Sequence, residues 1–321
     1  MYSGTFNAMN RDDIAKLAGV SNATISRFFS NPHQLSRQLR LKIDEIITKH
    51  NYTPNSYAAQ LSKKSKGKIA LVYSPNDSLF EYQRFQAIYY LLLTELNKLP
   101  ISLVLHTESL ESLDINTFDK ILVLATSDIQ LIESPNILYL YPPKNIIMSG
   151  VNYITVDAIE VGKTLAELFC PASKQMPLVL LPSGFKNAYL IDVINSFNET
   201  LKIHKVFPNP HHFLENADSF ESGQACAAEG FNLGLDFHSI IAFNQEAALG
   251  AIAALKSEGM SYPYDAQVVH YGHPKEFYYT EHDITCLSDP FYLIIEQIIK
   301  FYNSKPTQIQ FPPTLIKGKT Y

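Results

Sequence analysis

The side chains best placed for chemistry lie in "DDIAKLAGVSNATISRFFSN", residues 12–31, where two short helical patterns flank Gly19, with Ser21 and Arg27 near their joints. Hydroxyl, amide and guanidinium groups in such a unit offer directional hydrogen bonds of the kind that phosphates and base edges accept. The remainder offers little for catalysis. No GxGxxG or GxxxxGKS/T loop follows an apolar run, and Ser183 in "LPSGF" lacks the flanking glycine of a nucleophile elbow, so the segment reads as a strand-to-helix turn. His211 and His212 are adjacent in "FPNPHHF", a spacing that sends two rings in different directions, and they read as a solvated loop; the ten histidines contain no HxxxH pair. No enzyme activity, metal or cofactor is expected.

Charge says what the basic unit faces. Residues 1–68 hold 11 Lys and Arg against 4 Asp and Glu, whereas residues 69–321 hold 15 against 27, so a front of +7 precedes a body of −12. Such asymmetry fits one segment that meets a polyanion and a remainder that stays soluble and keeps off it. The length and the 46% apolar content suggest two or three compact units. Cys170, Cys226 and Cys286 lie far apart without a CxxC pair, which fits a reducing cytoplasm and three buried small hydrophobes. No apolar stretch suits secretion or membrane spanning, so a cytoplasmic location is expected. Residues 1–9 carry no periodicity and are set apart as a leader or disordered extension.

Three helices position the polar groups. Asn10 can cap a first helix with Asp12 and Asp13 at its positive end and Ile14, Leu17 and Ala18 facing inward, and Gly19 ends it. Val20 plugs the turn, Ser21 caps a second helix over residues 22–30 with Ile25, Phe28 and Phe29 inward, and Ser36 caps a third over residues 37–50 with Leu39, Ile43, Ile46 and Ile47 inward. This is a helix-turn-helix pattern, whose second helix enters the major groove.

"IAKLAGVSNATISR", followed by "NYTPNSYAAQLSKKS", resembles the headpiece and hinge of the lac repressor family of transcription regulators, and the resemblance extends over residues 10–321, weakening toward the C-terminus. It implies an all-α helix-turn-helix headpiece joined to an α/β effector domain of two doubly wound parallel-sheet lobes, like a periplasmic binding protein. It implies a headpiece at 10–54, a hinge at 55–66, and an effector and dimerisation domain at 67–321. Lobe N would comprise 67–169 and 288–304, lobe C 170–287 and 305–321. Carried over by position, Asn22, Ala23, Thr24 and Arg27 lie at the groove, with Arg27 able to bond guanine O6 and N7; Asn10, Ser21, Asn55 and Tyr57 join the DNA-binding set. Ser30 stands where the family usually has asparagine. In the hinge, Ala58 permits close approach and Leu61 would wedge into the minor groove beside its twin, unless it packs on the large domain instead. The implied partners are double-stranded operator DNA, a second copy of the chain and a sugar-like small molecule. Without a heptad tail after "PPTLIKGKT", a dimer rather than a tetramer is expected.

From Lys68 onward, "KIALVY", "ISLVLH", "KILVLA", "ILYLY", "LVLLP" and "SIIAFN" read as buried parallel strands, alternating with helices such as 80–97, 158–169 and 245–258. Crossovers between lobes are expected near Phe169, Ser288 and Ser304. The cleft departs from its relatives, because no arginine follows Arg84 and no acidic turn is present. Val193 stands nearest the expected arginine and Gly272 where the acid should be. Arg84, Tyr141, Asp157, Asn244, Tyr271 and Phe291 remain as effector-binding candidates, with Tyr139 also placed at a strand end. Asp157 and Asn244 equally suit helix caps, Phe291 a core aromatic, and Arg84 either the cleft or a dimer seam. Two alternatives stay open: a degenerate cleft that answers a partner protein or nothing, and a small-molecule binding module with an incidental basic tail.

Overall fold

The structure, a computed structural model, describes residues 11–21, 24–25, 27–28, 35–49, 67–73, 79–124, 131–142, 147, 149–170, 175–184, 188–272, 283–303 and 307–321. The chain divides into two units, Met1–Lys66 and Gly67–Tyr321.

In the first unit, helix α1 (Arg11–Ala18) ends where the sequence places the break. Gly19 has φ +69°, and two bonds close the last turn: Gly19 N–H to the Lys16 carbonyl at 3.2 Å and Val20 N–H to the Ala15 carbonyl at 3.0 Å. This paired closure needs a left-handed residue, which glycine supplies without a Cβ penalty. Thr24, Ile25, Arg27 and Phe28 are helical, and helix α2 spans Arg37–Lys49. Ser21 and Ser36 both cap, accepting from Thr24 N–H and Leu39 N–H at 3.3 Å each. The core is small: Ile14, Ala15, Ala18, Ile25, Leu35 and Ile43 are buried, with Val20, Phe28, Leu39, Ile46 and Ile47 packed against them. Leu17, expected inward, is 49% exposed; the buried stripe runs through 14, 15 and 18, which places 17 on its outer flank.

The second unit contains two six-stranded sheets. The first comprises β1 (Gly67–Val72), β2 (Ile101–His106), β3 (Lys120–Leu124), β4 (Ile137–Leu140) and β5 (Asn152–Val156), with a late strand, Gln308–Phe311, at its far edge. Its strand pairs are all parallel. Helix α3 (Leu79–Leu96) follows β1, and helix α4 (Ala158–Phe169) follows β5. The second sheet comprises β6 (Leu178–Leu180), β7 (Phe213–Leu214), β8 (Ser239–Ala242), β9 (Gln267–Tyr271), β10 (Thr285–Ser288) and a last strand, Thr314–Ile316. That last strand runs antiparallel to β10, so this lobe is mixed rather than fully parallel. Helices α5 (Ala188–Ile203), α6 (Phe220–Asn232) and α7 (Gln245–Ser257) belong to it, and α8 (Phe291–Asn303) returns to pack on α3.

Two expectations change. Gln308–Phe311 was expected in lobe C, but it pairs with Tyr153–Val156 in lobe N, so the third crossover falls at Pro312 and Pro313 rather than near Ser304. Consecutive prolines lack the N–H groups that would continue a ladder, which suits a change of sheet. Strand β2 is not buried: Val104 and Leu105 are about two-fifths exposed, because β2 is the sheet edge and its apolar run lacks cover on one side.

One apolar cluster joins the lobes, including Leu71 and Ile154 from one and Val193, Phe243 and Val269 from the other. Helices α4 and α5 approach closely at Gly162, where an added Cβ would collide with the Val193 carbonyl oxygen and lie 2.7 Å from Phe197 N. Ser196 Oγ donates to the Ile159 carbonyl at 2.7 Å across the same contact. No helix among the described residues is long and apolar enough to cross a membrane.

Candidate nucleic-acid interface and inter-lobe cleft

In the first unit, Ser21 and Arg27 are exposed and Thr24 is half-buried at the start of the second helix. Ser21 Oγ lies 3.0 Å from Thr24 Oγ1, so the cap also orients the threonine hydroxyl. Arg27 stands two residues from fully buried Ile25, which anchors the segment while the guanidinium stays in solvent. Asn10, Asn22, Ala23, Ser30, Asn55, Tyr57, Ala58 and Leu61 lie outside the described residues.

The second site sits at the C-terminal ends of strands from both sheets, where crevices form in open α/β folds. Arg84, in the second turn of α3, is only 3% exposed. Its Nε donates to Asp289 Oδ2 at 2.9 Å, its Nη2 donates to the Tyr271 hydroxyl at 3.2 Å, and its Nη1 lies 3.6 Å from Glu81 Oε1. The guanidinium carbon stands 3.7 Å from the Tyr141 ring centroid and 4.6 Å from that of Tyr189. Tyr271 donates to Asp289 Oδ1 at 2.8 Å. A hydroxyl has one proton, so Tyr189, 2.9 Å away, donates in turn to Tyr271. Tyr141 and Glu81 come from one lobe, Tyr189 and Tyr271 from the other, and Asp289 follows β10 at the crossover. The Tyr141 backbone has φ +54°, an unusual left-handed conformation for an aromatic residue, pinned by its N–H to the Ile154 carbonyl at 2.9 Å.

Electrostatics keep this cage in one protonation state. Burial alone would lower the Arg84 pKa, but Asp289, then Tyr271 and Glu81, outweigh it and hold the group well above its ordinary value. Burial first, and Asp289 next, push the hydroxyls of Tyr141, Tyr189 and Tyr271 upward, so all three stay neutral donors. A charged guanidinium between neutral rings and buried carboxylates is an arrangement for holding a planar cation.

Of the six effector candidates, Arg84, Tyr141 and Tyr271 meet in the cage. Asp157 caps α4, accepting from Ile159 N–H at 2.9 Å and Glu160 N–H at 3.2 Å. Asn244 caps α7, accepting from Ala247 N–H at 2.7 Å while its amide donates to the Ala217 carbonyl at 2.7 Å. Phe291 is a buried member of the apolar cluster. Tyr139 is not at a strand end: it lies inside β4, and its hydroxyl bonds the Ile132 backbone at 2.9 and 3.1 Å. Val193 is fully buried beneath Gly162 instead of reaching the cleft. Sequence reasoning missed Asp289, Tyr189 and Glu81. The signals were faint: an acid closing the apolar run "CLSD", and a tyrosine in the first turn of "YLIDVINSF".

Other expectations resolve locally. His212 is buried at the end of a short helical turn, Pro210–His212, while His211 is exposed, so the pair is not a solvated loop. Cys226 and Cys286 are buried, whereas Cys170 is half-buried. No group of metal-ligating side chains occurs among the described residues. A separate opening of about 500 Å³ lies at the opposite, N-terminal ends of β8 and β9, lined by residues including Phe169, His238, Met260 and Tyr264.

The profile of the family described as "Bacterial regulatory proteins, lacI family" matches residues 12–55, the stretch that carries the Gly19 turn and Arg27. Similarity to known repressors continues through the second unit. The "Sucrose operon repressor" of Staphylococcus xylosus is 26% identical over 276 residues, covering 81% of this chain and 73% of that protein. The lac repressor dimer crystallised with operator and the anti-inducer ONPF has a TM-score of 0.66 at 20% identity, covering 98% of this chain and 99% of that one. A CelR–cellobiose complex has a TM-score of 0.62 at 20% identity, covering 98% of this chain and all of that one. The likeness to these solved structures is one of fold.

Proposed function

We propose that this protein is a dimeric, sequence-specific DNA-binding transcriptional repressor, and not an enzyme, that reads a pseudo-palindromic operator in the cytoplasm. The observation that carries this reading is the capped, basic helix-turn-helix with exposed Arg27 at its second helix. Arg27 bonds a guanine edge, Ser21, Asn22, Ala23 and Thr24 fit the groove and backbone, and Leu61 wedges the minor groove at the dyad. A guanidinium fork matched to guanine O6 and N7 discriminates by about 1–3 kcal/mol. Selection from a random duplex pool should return two half-sites. Arg27→Ala should then lose roughly tenfold or more in affinity for the selected site while non-specific binding persists. Binding should weaken steeply with salt, at a log–log slope of about −0.9 per neutralised phosphate. Indifference of the wild-type protein to duplex sequence overturns the reading.

A sugar-like molecule bound between the lobes would modulate operator binding, as the complexes formed by its structural neighbours suggest. The filled cage around Arg84 favours a second reading, in which the large unit answers a partner protein or no ligand. A thermal-shift screen of sugars and related metabolites separates them, since a ligand at a hundred times its Kd stabilises by about 2.7 kcal/mol.

A further inference from the structure

We propose that Arg84 is a ligand in cis: its guanidinium occupies a cation cage built by Tyr141 from one lobe, by Tyr189 and Tyr271 from the other and by Asp289 at the crossover, tying the lobes together without a small molecule. The inference rests on the reading of the inter-lobe cleft as the effector site, and it names the chemistry of that site as recognition of a planar cation.

The geometry has the features of a built binding site. The guanidinium carbon lies 3.7 and 4.6 Å from two ring centroids that are 6.2 Å apart, and the rings stand at 87° to each other. Its edge is used as well, Nε by Asp289 and Nη2 by Tyr271, with Glu81 near Nη1. The hydrogen-bonded row Tyr189–Tyr271–Asp289 aligns the carboxylate from behind. Only a planar, forked cation satisfies stack and edge together, which an ammonium does not. Of these partners, Tyr189 and Tyr271 lie across the cleft from α3, so separating the lobes breaks a ring contact and a hydrogen bond at once. A tethered group also enjoys a high effective concentration, so a weak soluble cation does not displace it.

The test uses the full-length protein without DNA. Hydrogen exchange is followed in segments 139–142, 269–272 and 284–291, alongside the radius of gyration in solution. Arg84→Ala should raise exchange in these segments roughly tenfold or more and expand the particle. Millimolar methylguanidinium, which refills the cage, should reverse both effects, whereas equal sodium chloride should not; the wild type should not respond. A folded Arg84→Ala protein with unchanged exchange overturns the proposal, and so does methylguanidinium acting equally on both proteins. Should Arg84→Ala fail to fold, Arg84→Lys decides, because it keeps the charge but loses the fork and the stack. Looser exchange in that variant supports the lock, and wild-type protection overturns it. Operator binding is scored separately through Arg27→Ala, so failure of the lock and failure of the DNA-binding reading are told apart.

Discussion

Removing either partner of the Arg84–Asp289 pair should destabilise the large unit, but by unequal amounts, and the order follows from the charge count around the guanidinium. Asp289 lies at 2.9 Å and Glu81 at 3.6 Å, and all three side chains are nearly fully buried. Coulomb attraction falls with distance, so Glu81 alone retains about four-fifths of the pull that Asp289 exerts. Asp289→Asn therefore leaves a compensated cation and loses one charge-assisted bond, at about 2–3 kcal/mol. Arg84→Met strands two buried carboxylates with no cation between them, at about 4–5 kcal/mol, the upper end for a broken buried pair. For a unit of this size, about 2–4 °C of melting temperature accompanies each kcal/mol, so the losses are about 4–12 °C and 8–20 °C. Differential scanning fluorimetry of both variants checks the order. An Asp289→Asn protein less stable than Arg84→Met refutes the charge accounting.

Three further outcomes are expected. The hydroxyls of Tyr141, Tyr189 and Tyr271 are held above the usual tyrosine value, first by burial and then by Asp289. Their contribution is full below about pH 10, where unfolded tyrosines titrate, and declines above it, so Tyr271→Phe should flatten the alkaline fall in melting temperature; parallel curves would contradict this. Gly162→Ala meets backbone atoms of α5 that cannot swing aside and should cost about 3 kcal/mol, read from the urea midpoint. Asn244→Ala removes the α7 cap and strands the Ala217 carbonyl, costing about 1–2 kcal/mol in the same assay, whereas an unchanged midpoint would mean the cap is dispensable.

Local chemistry made much of the architecture legible. Asp157 and the apolar period after it mark α4 at Ala158–Phe169, as observed, and the Gly19 break appears where a left-handed residue is needed. The strand runs from "KIALVY" to "SIIAFN" fold as strands because their apolar side chains need burial. Where a strand's neighbour decides the outcome, the reading failed. Leu105 looks as apolar as Leu122, yet β2 sits at an edge and β3 inside the sheet. Likewise "QIQF" could pair in either lobe, and only the partner at Tyr153–Val156 settles it.

The sequence by itself determined the basic three-helix pattern at the front, the alternating strands and helices behind it, and the lack of any arginine beyond position 84, since each is a matter of residue type and short-range spacing. Tertiary structure alone decided that Arg84 spends its charge inside the protein. Its carboxylate partner is 205 residues away, and the tyrosines around it come from elements that periodicity treats as unrelated. Hydrogen-bond fit and desolvation act between atoms in space, so the chain must first bring two lobes together before a solvated helix arginine becomes a buried cation.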